Sequence, residues 1–168
     1  SQLLNTIKRM NNQNFRVILD YSNENYKMHK QNFEKIKNLI HNYNNQYIAL
    51  KLSSLNIQND CYYAENKAFE LCEKAIANNN KIFIDAEDFL IQDNISKISN
   101  KLMKHFNKRK VNVYKTYQMY KKNSFEELNQ DLNLERDYLI GIKLVRGAYY
   151  NQDKQFNILH KNIEDTHY

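Results

Sequence analysis

The stretch Leu139-Ile140-Gly141-Ile142-Lys143-Leu144-Val145 alternates with a period of two: Ile140, Ile142 and Leu144 oppose Gly141, Lys143 and Val145. That is the signature of a strand with two chemically different faces. Four earlier apolar runs share its character: 15–20 (FRVILD), 47–53 (YIALKLS), 81–85 (KIFID) and 111–118 (VNVYKTYQ). Successive runs lie about 30 residues apart, the length of a strand plus a helix. Between them the apolar spacing lengthens to a helical stripe: Phe33, Ile36 and Ile40, then Phe69, Cys72 and Ile76, then Ile91, Ile95, Ile98, Leu102 and Phe106, then Phe125, Leu128 and Leu132. Each helix therefore has one face to bury. Asn-rich stretches at 42–45 and 78–80 are placed to end helices, because Asn tolerates left-handed backbone.

Parallel strands joined by helices close into a barrel or spread as a doubly wound sheet. Parity separates the two. In the second run Ile48, Leu50 and Leu52 oppose Ala49, Lys51 and Ser53, and in the third Ile82 and Ile84 oppose Phe83 and Asp85. An open sheet buries both faces more evenly, whereas a barrel packs large apolar residues outward and turns small or polar ones toward a functional mouth. Gly141 and Gly147 are the only glycines, so no GxGxxG dinucleotide loop can form. The expected fold class is α/β, a (β/α)8 TIM-type barrel represented by about five βα units, with residues 1–168 forming one incomplete domain and no linker.

Composition narrows the function classes. With 42% hydrophobic and 12% aromatic residues, 168 residues can pack a core. The mean hydropathy of -0.84, the lack of Pro and Trp, and the heavy use of Asn, Lys, Ile and Tyr read as coding bias rather than as a functional signature. The net charge of +6 is spread along the chain, with its tightest cluster at 104–110, which favours solvated helix faces over a nucleic-acid groove. Cys61 and Cys72 have no CxxC or His partners at metal spacing, so both are expected to be reduced and structural, with no metal site. No apolar run reaches the roughly 18 residues of a membrane span, and no signal peptide precedes the first strand. The first residue, Ser1, leaves the natural start open.

Lys51, Asp85, Gln118, Lys143 and Arg146 all fall at or just past the C-terminal ends of strands, the rim where barrel active sites are built. Lys51 and Asp85 share inward parity on neighbouring strands, which predicts an ion pair, either functional or purely structural. Arg146-Gly147-Ala148-Tyr149 follows the fifth strand, where Gly can bring the backbone close to a planar ligand or simply make a turn. Gln118 offers a donor and an acceptor, to a heterocycle edge or to neighbouring backbone. His29, His41, His105, His160 and His167 fall on helices or near the terminus and receive no catalytic role; among the tyrosines, placement singles out Tyr149 and Tyr117.

Taken together, residues 48–55 (IALKLSSL), 84–87 (IDAE), 113–120 (VYKTYQMY) and 141–150 (GIKLVRGAYY) resemble the proline dehydrogenase (proline oxidase) family, in its order and over about residues 15–168. The resemblance implies FAD-dependent oxidation of L-proline to Δ1-pyrroline-5-carboxylate, with hydride leaving the ring carbon beside nitrogen and electrons passing on to a quinone. By the same resemblance Lys51 faces the substrate carboxylate, Asp85 pairs with Lys51, and Tyr149 lines the proline site. Gln118, Lys143, Val145, Arg146 and Gly147 hold the flavin. Many bacterial members carry Arg where Lys143 stands. The Lys form resembles eukaryotic members and implies a mitochondrial rather than cytoplasmic location, with peripheral association the expected relation to a membrane.

Length limits this reading. A full barrel needs about 250 residues. Strands six to eight, the late flavin contacts and a C-terminal helix with adjacent arginines are expected outside these residues, and no Arg-Arg pair occurs. The 168 residues alone are expected to be inactive. Two alternatives stand beside the family reading: a different barrel enzyme using Lys51 or Lys143 as a Schiff-base amine, and a non-catalytic remnant.

Overall fold

The computed structural model describes residues 2–21, 23 and 25–166. Five strands, β1 (Ile18–Asp20), β2 (Tyr47–Leu50), β3 (Lys81–Ile84), β4 (Val113–Gln118) and β5 (Ile142–Val145), form one parallel sheet in the order β1-β2-β3-β4-β5. Strand order that never reverses is the order of a barrel wall; a doubly wound sheet would turn back at a switch point. Helices α1 (Gln2–Asn12), α2 (His29–Asn42), α3 (Cys61–Ala77), α4 (Phe89–Phe106), α5 (Ser124–Asn133) and the short α6 (Tyr150–Asp153) complete the chain. The spacing predicts α2 to α5, whereas α1, which buries Ile7, has no counterpart in the apolar-run pattern.

The outward parity holds in β2, β3 and the start of β4, whereas in β5 Leu144 is 56% exposed. Ile48, Leu50, Ile82, Ile84 and Val113 are fully buried and join Ile36, Ile40, Leu71, Ile95, Ile98 and Leu102 from α2, α3 and α4 in one core. At about 1.5–3 kcal/mol per fully buried side chain, this outer layer supplies most of the driving force. The inward face is less polar than the alternation predicts. Tyr47, Phe83 and Tyr114 stack across β2, β3 and β4, with ring centroids 5.5 and 4.5 Å apart. Above this aromatic layer, at the strand ends, the inward side chains turn polar, and below it the Lys81 ammonium lies 5.9 Å from the Tyr114 ring centroid.

Three expectations are corrected. The second strand ends at Leu50, and the chain turns at once into a 3-10 turn, Leu52–Leu55, that buries Leu52 and Leu55. The first strand starts at Ile18, three residues late. The α5 stripe is not fully used: Leu128 is buried, but Phe125 and Leu132 are 58% and 50% exposed. Instead α5 is held by charge. Lys115, on the outer face of β4, places its ammonium 2.8 Å from Glu127 and 2.7 Å from Asp131, and the Tyr117 hydroxyl donates to Asp131 at 2.6 Å. Tyr117 is therefore an outward structural residue and not part of the rim.

This cluster makes stability depend on pH. Burial pushes the Asp131 carboxyl up, but hydrogen bonds from Lys115 and Tyr117 outweigh it and hold the group below the ordinary carboxylate range. The ionised form stabilises the fold above the unfolded value of about 3.9, and that contribution disappears as pH falls through the lowered folded value. Asp131→Asn is expected to cost about 1–2 kcal/mol at neutral pH, discounted for partial solvent access. It should also flatten the decline of the urea midpoint below about pH 4. Equal acid sensitivity in variant and parent would refute the assignment.

Asparagine does the work that scarce glycine leaves undone. The five non-glycine residues with positive φ among those described are Asn14, Asn45, Asn56, Asn79 and Asn157. Buried Asn80 and Asn107 stitch the N-terminal ends of the strands. Asn107 Nδ2 donates to Val113 and Leu139 carbonyls at 2.8 and 3.0 Å, and its Oδ1 accepts from Asn112 and Val113 N–H at 2.9 Å each. Gly141 lies beside them, where a Cβ would run into the Val113 carbonyl. That end of the sheet is built for stability, and the opposite end remains for chemistry.

Candidate active site

At the C-terminal ends of the strands a cleft of about 350 Å³ is lined by Lys51, Asp85, Gln118, Lys143, Val145, Arg146, Gly147 and Tyr149, together with Asp20, Ala86, Thr116 and Ala148. Every predicted site residue is therefore brought to one place. A second cleft of about 320 Å³ lies at the opposite end of β1 and β2, around Asn11, Arg16 and Tyr47. It is comparable in size, but a single side-chain cation faces it, whereas three cations and two carboxylates converge on the rim.

Strand register explains the convergence. Thr116 is the Cα partner of Lys143, Gln118 of Val145, and Ile84 of Lys115. One residue further on, Asp85 continues the parallel pairing by donating its N–H to the Leu50 carbonyl at 3.0 Å. Lys51, Asp85, Thr116 and Lys143 thus follow one another along a single inward row. The ion pair differs from the one predicted. Asp85 Oδ1 is 2.6 Å from Lys143 Nζ, so its partner stands on β5 rather than being Lys51 on β2. In a barrel wall the side chains of one interior layer come from alternate strands, and curvature closes the gap between β3 and β5 over Thr116. Phe83 lies beneath this pair, its ring centroid 5.8 Å from the Lys143 ammonium, and gives it an apolar floor.

Lys51 owes its position to the turn that follows it: the Ser54 N–H and hydroxyl both donate to the Lys51 carbonyl, at 3.2 and 2.6 Å. The buried carboxylate of Glu87 accepts the next free N–H of that turn, from Ser53, at 3.0 Å, while the Glu87 carbonyl accepts from Gln118 Nε2 at 2.8 Å. Glu87 is thus a hub linking the β2, β3 and β4 ends, and the sequence signal for it was an acidic residue two after Asp85. One N–H of Gln118 Nε2 is engaged with Glu87, while its Oε1 is buried without a hydrogen-bond partner among the described residues, as is Thr116 Oγ1. Thr116 shares the inward parity of Gln118, which is the signal that could have placed it.

Gly147, which lines the cleft, also makes room for a side chain of the chain itself. Its φ is +139°, and the place where a Cβ would stand is filled by the ring of Tyr120. The residue permits the rim loop to wrap Tyr120. Of the histidines, His29, His41 and His105 are helical and His160 lies in a loop, while His167 is outside the described residues. Cys61 and Cys72 are free thiols, and burial pushes the Cys72 thiol well above its ordinary range. No helix among the described residues is long and apolar enough to cross a membrane.

A sequential parallel sheet with a charged cleft at its C-terminal rim defines a βα-barrel wall whose candidate site draws on several strand ends. Residues 3–164 match the proline dehydrogenase family model. The chain belongs to the proline dehydrogenase family. It is 37% identical over 90 residues to the mitochondrial proline dehydrogenase 1 of Caenorhabditis elegans, covering 52% of this chain and 15% of that protein. To the Drosophila melanogaster protein of the same name it is 41% identical over 76 residues, covering 44% of this chain and 11% of that one. Among solved structures, proline utilization A from Bdellovibrio bacteriovorus, inactivated by N-propargylglycine, superposes with a TM-score of 0.84 at 11% identity, covering 97% of this chain and 21% of that one. That likeness is one of fold. The chain spans well under two thirds of the length of each of these relatives.

Proposed function

We propose that residues 1–168 form one incomplete barrel domain supplying the first half of a proline dehydrogenase site: FAD-dependent oxidation of L-proline to Δ1-pyrroline-5-carboxylate, with electrons passing to a quinone, in the mitochondrion. The observation that carries this reading is the meeting of Lys51, Asp85, Gln118, Lys143, Arg146, Gly147 and Tyr149 around one cleft, in a chain matched by the family model over residues 3–164. The mitochondrial names of the relatives support the location.

The residues present suit a flavin. Two buried polar atoms, Gln118 Oε1 and Thr116 Oγ1, have no hydrogen-bond partner among the described residues. Such atoms cost about 1–3 kcal/mol each unless something completes them. A planar heterocycle with N–H and carbonyl edges is the kind of ligand that does so, and Gln118, Lys143, Val145, Arg146 and Gly147 would hold it. Hydride acceptance is the chemistry that bound FAD supplies. Lys51 would meet the substrate carboxylate as a point charge. Asp85 would act through Lys143, fixing that ammonium in the cleft as a preorganised cation. Tyr149 would wall the proline ring. The rival Schiff-base reading loses support at Lys143, because an amine engaged with a carboxylate at 2.6 Å is not the free nucleophile that chemistry needs.

The decisive measurement is the visible absorbance of the purified natural protein containing this chain. The proposal expects a flavin band that bleaches when L-proline is added. A protein that folds but shows no flavin band and ignores proline rules it out.

A further inference from the structure

The rim loop that carries Arg146, Gly147 and Tyr149 has very little regular structure of its own, since α6 is only four residues long. It is nevertheless wound tightly around one side chain. The Tyr120 N–H donates to the Arg146 carbonyl at 2.8 Å, its ring fills the space beside Gly147, and its hydroxyl donates to Asp153 Oδ2 at 2.6 Å. The circuit closes where the Asp153 N–H donates to the Tyr149 carbonyl at 2.8 Å.

Asp153 is fully buried and has a second task. Its other oxygen accepts the Phe89 N–H at 2.8 Å, at the N-terminus of α4, immediately after the loop that carries Asp85 and Glu87. The Lys121 ammonium stands 3.2 Å from Oδ2, supplying the counter-charge without an aligned hydrogen bond. Burial, and next the bond to Asp153, hold the Tyr120 hydroxyl well above the ordinary tyrosine range, so it stays a donor at all working pH values.

We infer that Asp153 and Tyr120 are positioning residues that clamp the β5–α6 loop to the β3–α4 loop, and so set the distance between the two halves of the cleft. Neither touches the cleft; each acts through Gly147, Tyr149 and the Asp85 loop. A buried carboxylate whose three polar partners lie on two other segments, Phe89 on one and Tyr120 with Lys121 on the next, joins three segments with its own and is a costly arrangement to keep for packing alone. What the three segments share is the rim. The inference rests on the flavin site proposed above, and its test therefore carries one arm that needs no flavin.

In the natural protein, Tyr120→Phe and Asp153→Asn are compared with the parent, with Asp153→Glu as a conservative control. Amide hydrogen exchange is read first: both variants are expected to exchange faster by tenfold or more at the Tyr120, Asp153 and Phe89 amides that close the clamp, with the amides of β2 and β3 unchanged. Flavin dissociation and steady-state kinetics are read next, with an expected rise of about tenfold in the flavin dissociation constant and in KM for proline, and less than threefold change in kcat. A lowered melting temperature with parental exchange at the loop, or uniformly faster exchange throughout the sheet, overturns the clamp and leaves a merely structural role. If the parent itself binds no flavin, the function reading fails while the exchange arm still decides whether the clamp exists.

Discussion

Lys143→Met is expected to lower kcat/KM for proline by about 100-fold, a loss of ~2.7 kcal/mol of transition-state stabilisation, while leaving the protein folded. Two effects combine. The variant removes the cation that the cleft presents beside Gln118 and Arg146, and it leaves the Asp85 carboxylate, with which Lys143 is paired at 2.6 Å, without its partner in a half-buried site. Breaking a fully buried pair costs about 3–5 kcal/mol; here both side chains keep partial solvent access, 23% for Lys143 and 17% for Asp85, so the stability loss should be smaller than the loss of activity. Lys143→Arg keeps the charge and should stay within about tenfold of the parent, since guanidinium also pairs with a carboxylate. Steady-state kinetics on the natural protein, with urea unfolding alongside, checks both. Parental kcat/KM in Lys143→Met would remove Lys143 from the site.

Gly147→Ala carries the largest expected cost in stability, about 3–5 kcal/mol. A φ of +139° lies in a region that residues with a Cβ adopt only under strain of about 1–3 kcal/mol. The added methyl also meets the Tyr120 ring, which cannot retreat because its hydroxyl is bonded to buried Asp153. Forced overpacking adds about 1–3 kcal/mol. Since the strained segment is the one proposed to hold the flavin, cofactor content should fall together with the urea midpoint. Ala148→Gly, one residue on at an exposed position, should change stability by less than about 1 kcal/mol. A Gly147→Ala protein as stable as the parent would mean that the loop does not hold Tyr120 as described.

Much of the architecture could be read from pattern. The apolar runs lie on the five strands because outward residues such as Ile48, Ile82 and Ile84 must reach the helices, and burial dictates a period of two there and of about 3.6 on α2, α3 and α4. The rim could be read for the same reason, since parity and strand end together locate Lys51, Asp85, Gln118 and Lys143. Where burial was not the deciding force, pattern misled. The Phe125 and Leu132 positions look like a core stripe but lie exposed, because α5 is fastened by Lys115, Asp131 and Glu127. Tyr117, which its placement near a strand end singles out, points outward into that charged cluster.

The run from Leu139 to Val145 therefore marks the line between the two levels. Its alternation, its place as the fifth strand and the inward direction of Lys143 follow from local periodicity, which is a property of neighbours in the chain. Which carboxylate Lys143 meets is not such a property. Parity allows Lys51 as readily as Lys143 to pair with Asp85, and the curvature of the wall chooses β5 by bringing alternate strands together across β4. The clamp of Tyr120 and Asp153 is likewise invisible in one dimension, because it joins residues 33 positions apart through a glycine whose role is to leave room for a ring. Contacts between distant segments depend on the shape of the closed surface, and that shape exists only once the sheet has curved.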